Sequence, residues 1–332
     1  MFIVWRGFLY NQQSQMEAIL SQYEMEIYEV TKGRGTYICN TSKGVKVLTG
    51  FRGAKEKGEA LRKYLARLNE VGFPVEQIEL NRENEAVTVD EITAERFILK
   101  EYISGSEINV NQLGELKEAA SLLAEYHNAS VCIASNSLEQ EVDCSQMVVA
   151  EKEKHYRELI KVKNYIRNRK KKNEFERIYL NCYENMMQTA EESLEILKKE
   201  QNNSPVCCFC HGDYNQHNIV WWDTRWQIIN FENFVYHWCI LDLANFLRKM
   251  QEKNEWDLRV GNGLLEAYTK VRSLSMTEKE KLYGLLLFPE KFWKVANHYM
   301  NSRKTWVSEK DIEKLKKVIE QEEKRINYVK SL

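Results

Sequence analysis

Proline is scarce in this chain: only three, at positions 74, 205 and 289, punctuate 332 residues. So few breakers exclude a proline-rich linker and leave room for long helices. No run of about 18 apolar residues occurs, the length a membrane-spanning helix needs. The apolar N-terminal stretch MFIVWRGFLY is interrupted by Arg6 and no small-residue cleavage site follows, so it does not read as a secretory signal. An excess of one charge sign is missing as well: 48 Lys plus Arg against 49 Asp plus Glu leave a formal net charge of -1. No global field therefore favours nucleic acid or an anionic membrane, and any anion site must be local. Nor is there a disulfide framework, because the eight cysteines (39, 132, 144, 182, 207, 208, 210, 239) are too dispersed for a small stapled scaffold. A soluble chain made in the cytoplasm, with reduced thiols, is expected. Cys207 and Cys210 form a C-x-x-C, but no second such pair exists and the residues between are apolar. Buried strand cysteines are the preferred reading over a redox or zinc pair.

With 43% hydrophobic residues the chain is long enough for one large domain or two lobes, each with a core. The first hundred residues alternate short β-branched or aromatic runs with turns: EMEIYEV (24–30), TYICN (36–40), VKVLT (45–49) and ERFILKEY (95–102). One helix interrupts them, Lys55 to Glu70, with Leu61, Tyr64, Leu65 and Leu68 on one stripe. From about Ser104 the pattern changes to long amphipathic helices: Leu113 to Asn128, Ala150 to Lys199, Ile240 to Lys253 and most of Met276 to Leu332. An α+β chain follows, with a small antiparallel-sheet lobe over 1–103 and a large helical lobe over 104–332.

The chemistry concentrates in CFCHGDYNQHNIVWWDTRWQIINFE, Cys208 to Glu232. Phosphoryl transfer needs a carboxylate to orient and deprotonate the attacking hydroxyl, and oxygen ligands that hold Mg²⁺ against the phosphates. Asp213 and Asn218, five apart in one loop, offer that pair. Alternatively, Asp and Asn are common turn formers and His211-Gly212 could merely begin a loop. The continuation argues against it: a strand Ile219 to Trp222, a turn at Asp223-Thr224-Arg225, and a second strand Trp226 to Phe231. The spacing H-G-D-x-x-x-x-N and this hairpin resemble the aminoglycoside phosphotransferase and choline kinase superfamily, whose protein-kinase cousins use H-R-D-x-x-x-x-N. The resemblance implies a two-lobed protein-kinase-like fold, ATP and Mg²⁺ as cofactors, Asp213 as catalytic base and Asn218 as metal ligand.

In that superfamily the second strand ends I-D-F-E; here it ends Ile229-Asn230-Phe231-Glu232, so Asn230 replaces the metal-binding aspartate. Unit charges 4 Å apart interact by about 4 kcal/mol at an effective dielectric of 20, and a divalent ion doubles it, so metal affinity should fall. A carboxamide oxygen still coordinates, and Glu232 faces the same side if the strand stays extended. Asp242, in the D-L-A run that follows, resembles the aspartate that braces the catalytic loop, or simply initiates a helix. Gly33 and Gly35, in Thr31-Lys32-Gly33-Arg34-Gly35, stand where a glycine-rich loop would cover phosphates, or serve a hairpin turn. The phosphate lysine is expected on the third strand: Lys46 is available, with Glu56 or Glu59 on the next helix, but Thr49 occupies the usual V-L-K ending. Glu101 and Ile103, in Lys100-Glu101-Tyr102-Ile103, resemble the hinge that bonds an adenine through its backbone; a plain strand end looks the same. His127, ending Leu123-Ala124-Glu125-Tyr126-His127, reads as a hydrogen-bonded core histidine, and the basic run Lys161 to Lys172 as a solvated helix face.

Within the superfamily the chain resembles the CotS-type spore-coat proteins over nearly its whole length. The marks are HGDYNQHN with INFE, the run D-L-A-N-F-L-R-K-M from Asp242 to Met250, and FPEKFWKVANHY from Phe288 to Tyr299 followed by Lys304-Thr305-Trp306. The resemblance implies a coat-associated kinase-like protein with degenerate or unusual catalysis, which binds nucleotide and meets other coat proteins. The alternative is an active ATP- and Mg²⁺-dependent kinase of small molecules.

Overall fold

The computed structural model describes residues 4–6, 10–33, 35–135, 144–199, 204–302 and 308–332. In chain order the elements are β1 (Val4–Arg6), α1 (Tyr10–Leu20), β2 (Ile27–Lys32), β3 (Thr36–Thr41), β4 (Gly44–Gly50), α2 (Lys55–Glu70), β5 (Ile78–Glu79), β6 (Thr88–Val89), β7 (Arg96–Glu101) and β8 (Ser106–Glu107). Then follow α3 (Leu113–Ser135), α4 (Cys144–Arg167), α5 (Glu174–Lys198), β9 (Cys207–Cys210), β10 (Ile219–Trp222), β11 (Arg225–Ile228) and β12 (Val235–Trp238). The C-terminal part is helical: α6 (Cys239–Lys253), α7 (Leu258–Val271), α8 (Met276–Leu287), α9 (Glu290–Asn301), α10 (Glu309–Glu320) and α11 (Glu322–Lys330). The fold is α+β as expected, and among the described residues no helix is long and apolar enough to cross a membrane.

The chain divides into two compact units, Met1–Ile108 with His211–Phe234, and Asn109–Cys210 with Val235–Leu332. The sequence puts the division at 103 and the hairpin with the helical part. In the structure the hairpin groups with the sheet-bearing unit, for a simple reason. β10 pairs antiparallel with β8, Val220 opposite Glu107 and Trp221 opposite Ser106, so the strand after the catalytic-type loop is zipped to the end of the first segment.

The sheet of the first unit runs β1-β2-β3-β4-β7-β5, with β6 also on β7. All its pairs are antiparallel except β1 with β2. Strand alternation gives β7 two different faces. Phe97 and Leu99 enter an apolar cluster with Val30, Cys39 and Leu48, while Ile98 and Lys100 point the other way. The cluster is closed by α1, which periodicity did not reveal because its sequence YNQQSQMEAIL is mostly polar. Met16, Ile19 and Leu20 suffice to dock it. On the second helix, Gly58, Leu61, Tyr64, Leu65 and Leu68 form the buried stripe, and Tyr64 stacks on Phe234 at 5.8 Å.

In the second unit α3 packs on α7 and α5 on α8. Its core includes stacked aromatics, Phe175 on Tyr299 at 4.3 Å and Tyr179 on Phe292 at 4.9 Å. FPEKFWKVANHY therefore builds α9 and its core face; Lys304-Thr305-Trp306 lies outside the described residues, as does Arg34 of the glycine-rich turn. The basic run is tied down locally: Lys163 pairs with Glu184 at 2.7 Å, and Arg169 with Glu176 at 3.1 Å.

Ile19 is fully buried, so truncating it tests whether α1 is an integral layer of the first unit. Ile19→Ala is expected to destabilise this unit by about 2–4 kcal/mol, the cost of a large-to-small change in a packed core. Urea unfolding read by tryptophan fluorescence checks it; a loss below about 0.5 kcal/mol, typical of surface changes, would mean α1 is not docked.

Candidate functional site

The loop before β10 is built by its first two residues. Gly212 has φ +79°, and a Cβ there would stand 2.1 Å from the Asn233 carbonyl oxygen, so the turn after His211 requires glycine. His211 is fully buried, with Nε2 2.9 Å from the Ile229 carbonyl and Nδ1 3.1 Å from the Asp213 N–H. A carbonyl needs a donor and an N–H an acceptor, so the ring is the neutral tautomer protonated on Nε2. It ties the loop to the end of the hairpin.

Asp213 is half-buried, and its backbone carbonyl accepts the side-chain amides of Asn215 at 2.8 Å and Asn218 at 2.9 Å. Asn215 Oδ1 in turn accepts the His217 N–H at 2.9 Å and opens a single 3₁₀ turn over Gln216–Asn218. The structure thus brings Asp213 and Asn218 together.

Asn230 comes to the same place. Its side-chain amide donates to Asn218 Oδ1 at 2.9 Å, and its backbone is left-handed at φ 67° and ψ 60°, a conformation asparagine tolerates better than most residues. The strand expected to run to Phe231 stops at Ile228, and a 3₁₀ turn over Phe231–Asn233 follows. Glu232 therefore joins Asn230 through a turn, and the extended-strand route assumed from sequence is corrected.

What these groups meet was not foreseen. Lys100, 2% exposed, donates from Nζ to Asn230 Oδ1 at 2.8 Å, to Glu76 Oε1 at 2.8 Å and to Glu232 Oε1. Glu76, also buried, accepts the Asn230 backbone N–H at 2.7 Å. Burial alone would push the Lys100 pKa down, but the Glu76 and Glu232 carboxylates outweigh it and hold the ammonium above the ordinary lysine value. Burial pushes Glu76 up; Lys100 opposes this and Glu232 adds to it. One ammonium thus faces two carboxylates in this cluster. Sequence offered one signal: Lys100 occupies an inward position of the apolar alternation Phe97-Ile98-Leu99. Glu76, in the connection after α2, offered none.

The other sequence candidates lie elsewhere in this unit. Lys46 bonds Glu79 Oε1 at 2.5 Å, while Glu59 pairs with Arg62 of its own helix at 2.6 Å, so the expected Lys46–Glu59 pair does not form. Alternation explains this: Lys46, opposite Glu101, shares its face with Leu48 and not with Thr49. Gly33 N–H bonds the Thr36 carbonyl at 2.8 Å, which closes the β2–β3 turn. The Glu101 carboxylate accepts the Gln77 N–H at 3.0 Å, and its own N–H donates to the Gln77 carbonyl at 2.9 Å. The backbone N–H and C=O of Ile103 make no hydrogen bond among the described residues. Asp242 and His127 belong to the second unit, Oδ2 of one 3.7 Å from Nε2 of the other.

A magnesium ion does not fit the ligand set as it stands. Asn218 Oδ1 holds the Asn230 amide, and both Asn230 Oδ1 and Glu232 Oε1 hold the Lys100 ammonium. Each of these three oxygens faces a proton donor, which a divalent ion would have to displace.

Comparison with known proteins agrees with this fold. The chain is 22% identical to Spore coat protein S of Bacillus subtilis (strain 168) over 342 residues, 97% of this chain and 95% of that one. The crystal structure of an aminoglycoside phosphotransferase from Alicyclobacillus acidocaldarius shares its fold at a TM-score of 0.77 and 19% identity, covering 95% of this chain and 94% of that chain. The spectinomycin phosphotransferase APH(9)-Ia, in complex with ADP and spectinomycin, does so at 0.66 and 15%, covering 96% and 98%. The family described as spore coat putative kinase YutH matches residues 16–332, and the chain belongs to that family.

Proposed function

We propose that this protein is a coat-associated, kinase-like nucleotide-binding protein of degenerate catalysis, in which the Lys100 ammonium replaces the metal as the cation of the site. The observation that carries this reading is the seat of Lys100 among Asn230, Glu232 and Glu76. A fixed ammonium neutralises phosphate charge but lacks the several coordination positions with which Mg²⁺ bridges phosphates during transfer. ATP is the proposed ligand: the open Ile103 backbone would take its adenine and the Gly33–Gly35 turn would cover its phosphates. Asp213, the candidate base of phosphoryl transfer, would have little to do with nucleotide held without metal. Other coat proteins are the proposed partners.

Lys100 and Glu76, 2.8 Å apart, also favour a second reading. Kinases hold phosphates with a lysine paired to a glutamate, and this pair, drawn from β7 and the connection after α2, would rebuild it in place of Thr49. The protein would then be an active phosphotransferase of small molecules.

Calorimetry with ATP separates the two. Affinity for ATP is expected to change less than about threefold between excess Mg²⁺ and excess EDTA, and affinity lost on adding EDTA would overturn the first reading. Asn230→Asp removes the amide donor from Asn218 Oδ1 and adds a carboxylate, so that variant should gain a Mg²⁺-dependence of about tenfold or more in ATP affinity.

Asp213→Ala should leave ATP binding within about twofold, because a base acts on the acceptor and not on the bound nucleotide. If the unaltered protein phosphorylates a hydroxyl acceptor and Asp213→Ala abolishes that turnover, the active reading replaces the first. Absence of ATP binding under every condition would leave only a scaffold.

A further inference from the structure

The second unit carries a cluster that the nucleotide reading does not use. Side chains alternate along β9, so Cys208 and Cys210 share its buried face, 0% and 1% exposed, while Cys207 faces the other way. The pair is therefore Cys208-x-Cys210, not the C-x-x-C spacing visible in sequence. Helix α3 is fastened to this strand through one carbonyl, because the Tyr126 and Ser130 hydroxyls both donate to Phe209 O, at 2.6 and 3.0 Å. That places His127, fully buried, over the two thiols, and one ring nitrogen and both sulfurs lie within 4.8 Å of one another. Cys239, in the first turn of α6, is buried in the same cluster as Cys208 and Cys210.

The imidazole is left with an unanswered nitrogen. Nδ1 lies 2.7 Å from the Tyr268 hydroxyl, whereas Nε2 has no hydrogen-bond partner and the nearest carboxylate oxygen, on Asp242, stands at 3.7 Å. That distance is beyond a hydrogen bond. With Nδ1–H donated to Tyr268, Nε2 carries a lone pair that no donor among the described residues engages, the tautomer in which an imidazole binds a metal.

We propose that Cys208, Cys210 and His127, with Cys239 as the fourth ligand, hold a divalent ion of the zinc class that pins β9 to α3 and α6. Sulfur at about 2.3 Å and nitrogen at about 2.0 Å from a tetrahedral ion require ligand atoms roughly 3.5–3.8 Å apart, so Cys208, Cys210 and His127, now within 4.8 Å of one another, draw together and Cys239 moves in to join them. Binding exchanges three thiol protons, released to solvent, for one Zn²⁺, so the loaded site carries one negative charge. The Arg272 guanidinium, which bonds the Tyr268 hydroxyl at 3.4 Å, is itself paired with Glu278 at 2.6 Å, so that charge stays with the buried site. Because the thiols are buried, the ion enters as the chain folds. The competing states are a bare thiol core, in which Cys210 donates to the Trp238 carbonyl 3.2 Å away, and a Cys208–Cys239 disulfide.

The full chain, expressed with added zinc and purified without chelator, should contain about one zinc per molecule by elemental analysis. Cys208→Ser/Cys210→Ser and His127→Ala should each lose most of it. Because such variants can fail to fold, the unaltered chain is also refolded from guanidinium with Zn²⁺, Co²⁺ or EDTA. Zinc should raise the melting temperature over EDTA, and cobalt should give the intense visible and near-ultraviolet bands of a tetrahedral thiolate complex. Protein that refolds equally well in EDTA and holds no metal, with all three thiols free on denaturation, would overturn the proposal. So would recovery of a Cys208–Cys239 disulfide-linked peptide.

Discussion

A buried ammonium organises the first unit. Lys100 stands on an interior face of the sheet, where an unpaired charge is untenable, and its partners come from two other places in the chain: Glu76 after α2, and Asn230 with Glu232 at the end of the β10–β11 hairpin. The hairpin adopts its ending to meet that demand. The left-handed Asn230 and the 3₁₀ turn behind it fold the two side chains onto a single Nζ. The Asn230 N–H on Glu76 then fixes the turn from the backbone side.

The same interaction sets the chemistry. Oxygens that would surround a divalent ion in a phosphotransferase are here acceptors of Lys100 and of the Asn230 amide. An aspartate at position 230 would present two acceptor oxygens and no donor; asparagine supplies the donor that closes Asn218 Oδ1. One atom exchanged in one side chain therefore changes the hydrogen-bond polarity of the cluster as well as its charge. The fold is shared with aminoglycoside phosphotransferases, but a fold hosts many activities, and the reading of this one rests on the site.

Much of this was legible in the sequence, and the exceptions have physical causes. The four main strands, α2, the catalytic-type loop and the asparagine substitution follow from period-two alternation, a helical stripe and one spacing. Three features do not. Helix α1 buries only a few apolar residues, so its stripe is too thin to stand out. Lys46 looked like the phosphate lysine because it lies on the expected strand, but alternation turns it to Glu79 on the opposite face from Lys100. Glu76 sits in an irregular connection, where no period says which way a side chain points. The cysteines illustrate the same rule: C-x-x-C catches the eye, yet a strand brings i and i+2 together, which selects Cys208 and Cys210.

The claim that Lys100 occupies the cation position is tested most directly by removing its charge and offering a divalent ion. Lys100→Met leaves Glu76 and Glu232 without a cation, so the variant should lose stability, on the order of 3–5 kcal/mol for a broken buried pair. Titrated with Mn²⁺ and followed by electron paramagnetic resonance and thermal melting, it should take up one ion and recover much of the lost melting temperature. The unaltered protein should show neither effect. Uptake of Mn²⁺ by the unaltered protein with the same affinity as Lys100→Met, or no uptake by the variant, would contradict the account.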